Sequence, residues 1–581
     1  MHKKWRLGAA IGAFLLATMS IQQGFADSHS IRHVLLISVD GFHALDYLNC
    51  SKGIPGFNSG DPYCPNLAAL GTTGVNYLDT STSKPSDSFP GLMALVTGGS
   101  PRTMGVNYDV AYDRALNPPQ NDTGNGLLGA SCTPGTPSGT STEFDEGINL
   151  NVPGIAGQMF LNGGAPSGDG GVNSIDPTRL ERDDNCKPVY PWNFIRVNTI
   201  FGVIHGKGGY TAWADKHPSY SSVGGPTGTS SDTNVDDYFG PEINSDSSNF
   251  EAGAASSLNT CKPNLPDQFA VTAHDDYTGS FLNVQCYDSL KVHAILNEID
   301  GRNHDGTAKA PVPNIFGMNF QAVSIGEKLI YQHNGGIPPL FPTYSTKGGY
   351  LDSIGTPGPS LFQEIKYIDA SIGLMVKELK KKHLYDSTLI VITAKHGQSP
   401  VDTSRYQANG SPNDPASILG SCLPDSEANQ IGPTEDDVAL LWLNATCDTA
   451  TEVKALELAS PALPLADNIA GIGEIFSGPS IALYYNAGDS RAPDILVTPN
   501  IGVTYSNSTK KLAEHGGFSH DDVNVIMLVS NPSLIATTVT TPVQTKQVAP
   551  TILKALDLDP QSLKAVRLER TPVLPGLSLL E

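Results

Sequence analysis

A mostly parallel α/β sheet with helices on both faces is the fold class that the sequence predicts. Three observations carry it. The apolar runs HVLLISV (33–39) and TLIVIT (388–393) are continuous rather than alternating, the pattern of strands covered on both faces. Between them, Leu361, Ile365, Ile368, Ile372 and Met375 recur at three and four, the spacing of one helical face. Helical and strand patterns alternate along the chain with no internal repeat, which places helices on either side of one sheet.

The elements follow in order. HVLLISVDGF (33–42) is a buried strand closed by Asp-Gly, and such strand ends are where open α/β sheets hold ligands. CPNLAALGTTGVNY (64–77) reads as a short helix and turn. SFPGLMALVTGG (88–99) reads as a helix, with Pro90 in its first turn and Gly98-Gly99 closing it. From about 107 to 190, and again from about 218 to 265, Pro, Gly, Ser and Asn dominate, so these are loop-rich insertions into one catalytic domain spanning 27–581. Residues 194–217 read as helix, glycine turn and strand. Residues 289–300 read as a helix, 312–326 as a strand, and 359–387 as a long amphipathic helix with a basic C-terminal end. SIALYYNA (480–487) and DVNVIMLVS (522–530) are further strands, and VAPTILKALDLDP (548–560) holds a late helix.

Composition narrows the function. The 581 residues carry a net charge of −22, which argues against nonspecific nucleic-acid binding, since that requires lysine and arginine to neutralise phosphates. The N-terminus joins Lys3, Lys4 and Arg6 to an apolar stretch ending in Gly-Phe-Ala. That pattern implies a secretory signal peptide over 1–26, and an uncleaved anchor is the competing reading. No later stretch is long and apolar enough to span a bilayer. The eight cysteines lack CxxC spacing, and an oxidising compartment implies four disulfides, paired neighbour with neighbour. The expected location is secreted or periplasmic.

Four polar residues close apolar runs or open helices: Asp40, Ser88, His396 and His515. Strand ends from distant parts of a chain meet at one sheet edge. There, Asp and His suit a zinc-like ion and Ser suits a nucleophile. Ser88 at a helix N-terminus would have backbone N–H groups aimed at an anion. Taken singly, each also has a structural reading as a turn, a cap or a core histidine. Asp215, Lys216 and His217 end another strand, and either face substrate or form a surface turn. His520, Asp521 and Asp522 read as second-layer partners of His515 or as a solvated turn.

The ordered segments VLLISVDGF, SFPGLMALVTGGSPRTMGV, YIDASIGLMVKELKKKHLYDSTLIVITAKHG, HGGFSHDD and QVAPTILKALDLDP resemble the alkaline phosphatase superfamily, in its type I phosphodiesterase/nucleotide pyrophosphatase branch. The resemblance implies an alkaline-phosphatase-like three-layer α/β/α sandwich. It implies Asp40 as a metal carboxylate, Ser88 as nucleophile, and His396 and His515 as metal ligands. Three positions depart from it. Lys395 stands where the branch has the Asp of Asp-His-Gly. Gly91 stands where it has an Asn. The carboxylate and histidine expected after the middle strand fall either on Val323 and Glu327 or on Asp352 and Thr356, with Asp352 the better ligand chemically.

The expected activity is metal-dependent hydrolysis of a small-molecule phosphate ester, a phosphodiester or nucleotide pyrophosphate bond, through a Ser88 phospho-enzyme. Lys395 would supply charge beside one or two divalent ions, zinc by ligand type. The ligand set is Asp40, Ser88, His396, His515 and Asp352. Oligomeric state is left open. The alternatives are a noncatalytic binding protein in which Lys395 pairs with Asp40, and a sulfatase- or phosphomonoesterase-like hydrolase. A formylglycine sulfatase needs an arginine where Leu92 stands.

Overall fold

The computed structural model describes residues 31–123, 127–142, 175–229, 233–244, 277–279, 281–330, 347–423, 434–459, 470–486 and 488–578. Segment 1–26, expected to be a signal peptide, and much of both insertions lie outside these residues.

Eight strands form the central sheet, in the order Thr537–Val539, Gly74–Tyr77, Met527–Ser530, Thr388–Thr393, His33–Val39, Ile315–Phe320, Ala212–Ala214 and Asp237–Phe239. Met527–Ser530 pairs antiparallel with both neighbours, and the other pairings are parallel. Side chains alternate across each strand. Leu35, Ile37 and Val39 therefore enter one core, with the helices Phe281–Ile299 and Pro359–Lys381. Val34 and Leu36 enter the other, with Ser88–Thr97 and Val548–Ala555. This is the three-layer α/β/α arrangement expected from the continuous apolar runs.

Register sets the functional edge. Ser38 lies beside Asn319 on one neighbouring strand and Thr393 on the other, and Ala214 lies beside Met318. Asp40, Gln321, Lys395 and Asp215 thus all emerge at the C-terminal ends of four adjacent parallel strands. Backbone bonds lock the ends together: Asp40 N–H donates to Phe320 O (3.0 Å) and Gly41 N–H to His396 O (3.2 Å). Gly41 has φ +84°, and a Cβ there would stand 2.6 Å from Glu327 Oε2, so only glycine lets the chain turn this close to the buried acid.

Two expectations require correction, and one sheet was not expected at all. The 312–326 segment is not one strand: it ends at Phe320, and a helix runs Ala322–Lys328. The Asp288 carboxylate accepts the N–H groups of Gln321 (2.8 Å) and Ala322 (2.9 Å), capping that helix from a remote part of the chain. SIALYYNA is not a strand: Gly478–Leu483 is a 3-10 helix opened by Pro479 and a Ser477–Ser480 capping box. An unanticipated four-stranded antiparallel sheet, Thr434–Glu435, Ala439–Leu441, Ile495–Pro499 and Ile472–Ser477, is inserted before Met527–Ser530 and carries its own core.

The disulfides Cys50–Cys64, Cys132–Cys186 and Cys422–Cys447 pair neighbour with neighbour, as expected. Cys286 is also disulfide-bonded, while Cys261 lies outside the described residues. Among the described residues, no helix is long and apolar enough to cross a membrane.

Candidate active site

Ser88 is the first residue of its helix, with Asp87 as N-cap: Asp87 Oδ2 accepts from Phe89 N–H at 3.2 Å. Because the cap falls to Asp87, the Ser88 hydroxyl is left for other partners. Its Oγ lies 3.2 Å from His396 Nε2 and 3.0 Å from Lys216 Nζ, which donates to it. His396 Nδ1 donates to the Gly397 carbonyl at 2.8 Å, which turns the ring so that Nε2 faces Ser88. His396 Nε2 is also 3.5 Å from Asp40 Oδ2.

Asp40 is fully buried. Its Oδ1 accepts from Asn319 Nδ2 (2.7 Å) and its Oδ2 from Gln321 Nε2 (2.6 Å). Burial pushes its carboxyl up, but the Lys395, His396 and Lys216 charges outweigh this and hold it well below the usual carboxylate range. Lys395 does not pair with Asp40. Its Nζ donates to Asp215 Oδ1 at 2.8 Å, with both side chains fully buried. Asp215 Oδ2 accepts from Trp213 Nε1 (2.9 Å), and its Oδ1 also accepts from Lys216 N–H (2.8 Å).

His515 stacks on His396, with ring centroids 3.9 Å apart, and its Nδ1 lies 3.3 Å from Asp87 Oδ1. Neither of these two buried atoms has a hydrogen-bond partner. Burial, and then the His396 charge, hold the His515 imidazole well below its usual value. Burial pushes Asp87 up to about 6 against the pull of His396 and Lys216. A cleft of about 370 Å³ is lined by Lys216, Gln321 and His515 of this cluster, and by both lysines (Lys328, Lys510, Lys511) and acids (Asp109, Asp436, Glu514).

Asp40, Ser88, Lys395, His396 and His515 are brought together at one edge; Asp352 is not. It is exposed, and its Oδ1 accepts from its own loop, Ile354 N–H (3.2 Å) and Thr356 N–H (3.0 Å). The other alignment fares no better as a source of ligands, since Val323 is apolar and Glu327 joins a separate buried cluster with His43 and Asp46. There, His43 Nδ1 lies 3.0 Å from Asp46 Oδ2 and 3.4 Å from Glu327 Oε1, and the Tyr350 hydroxyl bonds to both acids. Burial pushes Glu327 up to about 7. Gln398, two residues beyond His396, meets His43 Nε2 through its backbone, so this cluster braces the loop that carries His396.

Two spacings in the cluster suit a single divalent ion. About 3.3 Å separates neighbouring ligands around a tetrahedral ion with arms of about 2.0–2.1 Å. The spacings of His396 Nε2 to Ser88 Oγ and to Asp40 Oδ2, 3.2 and 3.5 Å, match that edge. His515 has Asp87 beside it, at 3.3 Å, while Lys395 and Gln321 bring nitrogen donors rather than carboxylates to the same edge. Among the described residues, the groups of three ligand-type side chains are His43–Asp46–Glu327 and Cys422–Cys447–Glu452, the latter tied up in a disulfide.

Gly91 has a packing reason. A Cβ there would stand 2.1 Å from the Lys395 carbonyl oxygen, so the Ser88 helix lies directly on the backbone of the Lys395–His396 segment and has no room for an asparagine. The 520–522 segment is a short capped helix, His520–Val523, rather than a solvated turn. Asp522 is buried and its carbonyl accepts from Gly397 N–H at 2.7 Å.

Behind it, Asp437 accepts from Ser399 and Thr504, both at 2.7 Å, while Asp522 Oδ1 is buried without a partner. Burial pushes Asp522 up to about 6 and Asp437 well up too. Between pH 4 and 6 the folded chain then holds more protons here than the unfolded one, so this pair's contribution to stability falls as pH rises through that window. Asp437→Asn, whose amide can donate to Asp522, is expected to be more stable than wild type at pH 8, with the gap closing towards pH 4. Urea midpoints at both pH values check this.

Asp215 and Lys216, which the sequence left between a substrate-facing and a surface-turn reading, are brought to this cluster. Their signal was a short apolar strand, TAWA, ending in Asp-Lys, the same format as the Asp40 and Lys395 strand ends.

A family model described as type I phosphodiesterase / nucleotide pyrophosphatase matches residues 34–136 and 230–521. No curated protein sequence matches the chain significantly. Among solved structures, murine ectonucleotide pyrophosphatase / phosphodiesterase 5, in an inactive form in complex with AMP, is 14% identical with a TM-score of 0.49, covering 91% of this chain and 95% of that one. The human counterpart is 14% identical with a TM-score of 0.48, covering 90% and 95%.

Proposed function

The chain belongs to the type I phosphodiesterase / nucleotide pyrophosphatase family of hydrolases, and on that premise we propose that it cleaves small-molecule phosphodiester or pyrophosphate bonds with Ser88 as nucleophile. The observation that carries this reading is the position of Ser88 Oγ, at a buried helix N-terminus between His396 Nε2 and Lys216 Nζ. His396 Nε2 accepts the hydrogen bond of the hydroxyl while its lone pair is free and would give it up on binding an ion, leaving Lys216 to hold Oγ. Lys216 donates to Oγ and favours its anionic form. The Ser88 Oγ–P bond forms as the P–O bond to the leaving group breaks, and the electron pair departs with the leaving oxygen. The hydroxyl proton ends on that oxygen. Water then attacks the seryl phosphodiester, restoring the Ser88 proton and releasing a phosphate monoester.

Asp40, His396 and Ser88 would hold one divalent ion, zinc by donor type, which supplies Lewis acidity to a phosphoryl oxygen when bound. Location outside the reducing cytosol is part of the same reading, supported by the disulfides. The test is hydrolysis of a bis-aryl phosphate diester, with elemental analysis before and after chelation. Turnover with one zinc per chain is expected. No hydrolysis of diester or pyrophosphate substrates overturns the reading.

A further inference from the structure

We propose that Lys216 is a catalytic residue, held with Lys395 on the Asp215 segment so that two ammonium groups do the electrostatic work of a second metal ion. The inference rests on the phosphate-ester reading above and goes beyond it in assigning Lys216 and in fixing the ion number at one.

Three observations carry it. Lys216 Nζ donates to Ser88 Oγ at 3.0 Å, so it touches the reacting atom. Lys395, from the strand end that also carries His396, has its charge fixed, fully buried, on Asp215 Oδ1 at 2.8 Å. The same oxygen accepts the backbone N–H of Lys216 at 2.8 Å, so one carboxylate anchors both lysines.

Tyr220 adds a shared support. It is fully buried, with Lys395 Nζ 4.1 Å and Lys216 Nζ 5.8 Å from its ring centroid and Phe89 packed edge-on against it. The ring of this tyrosine therefore steadies the two cations and the first turn of the Ser88 helix together. Lys216 is half-buried and lines the cleft, which lets it meet an entering phosphoryl oxygen, whereas Lys395 is sealed behind it. Around Ser88 the positive charge is thus built from the chain, where a second ion would otherwise be required to stabilise charge on the phosphoryl group.

The test compares wild type with Lys216→Met, Lys216→Arg and Lys395→Asp. It measures kcat and KM on a bis-aryl phosphate diester, affinity for inorganic phosphate by calorimetry, and metal per chain. Lys216→Met is expected to lower kcat by about 100-fold or more and to weaken inorganic phosphate binding about tenfold, with metal content and unfolding midpoint unchanged. Lys216→Arg should recover part of both. Lys395→Asp should bind more metal than wild type. Wild-type kcat and phosphate affinity in Lys216→Met would overturn the proposal, as would two ions per wild-type chain. The phosphate measurement needs no turnover, so it separates failure of this assignment from failure of the hydrolase reading.

Discussion

Ser88→Ala is expected to lower kcat by at least about three orders of magnitude while leaving the fold intact. The hydroxyl makes no bond that the fold needs. The helix is capped by Asp87, and the Ser88 contacts run to His396 and Lys216, both groups of the site. Alanine suits a helical first turn and is smaller than serine, so packing against the Lys395 backbone is undisturbed. Loss of Oγ removes the atom that would bond to phosphorus, and among the described residues no other hydroxyl is bonded to both His396 Nε2 and Lys216 Nζ. Steady-state kinetics together with a denaturant midpoint make the check. Retained turnover, or a collapsed midpoint, would each contradict the placement of Ser88 as a nucleophile free of structural duty.

The largest stability effect is expected at the Lys395–Asp215 pair. Lys395→Ala leaves Asp215 fully buried with only Trp213 Nε1 and the Lys216 N–H as donors. Removing one partner of a buried ion pair costs about 3–5 kcal/mol, because the remaining charge is stranded away from water. The double variant Lys395→Met with Asp215→Leu removes both charges at similar volume and is expected to regain most of that stability. It should remain catalytically impaired, since it removes the anchor of Lys216. Chemical denaturation of the single and double variants, read as a cycle, separates the two contributions. A Lys395→Ala midpoint equal to wild type would show that the pair is hydrated rather than buried.

Much of the site was legible because it sits where continuous apolar runs stop. Asp40 and Lys395–His396 end adjacent parallel strands, and Ser88 follows an N-cap aspartate. What the sequence hid depends on long-range partners. Lys395 reaches Asp215 across 180 positions, and nothing local to either residue states the pairing. The strand read as 312–326 breaks at Gln321 because Asp288, 33 positions earlier, caps the helix that follows. Part of the smaller sheet escaped notice because two of its strands, Thr434–Glu435 and Ala439–Leu441, are very short. Ala439–Leu441 has three residues, too few to show alternation among loop-like neighbours. Asp352 matched a motif in letters alone; its carboxylate is spent on its own turn.

The most direct test of the account is to trap the seryl intermediate. Wild-type protein mixed with a bis-aryl phosphate diester, quenched in acid and mapped by peptide mass, is predicted to carry an aryl-phosphoryl group on the peptide containing Ser88, absent from Ser88→Ala. An adduct on another residue, or turnover by Ser88→Ala with no adduct anywhere, would contradict it.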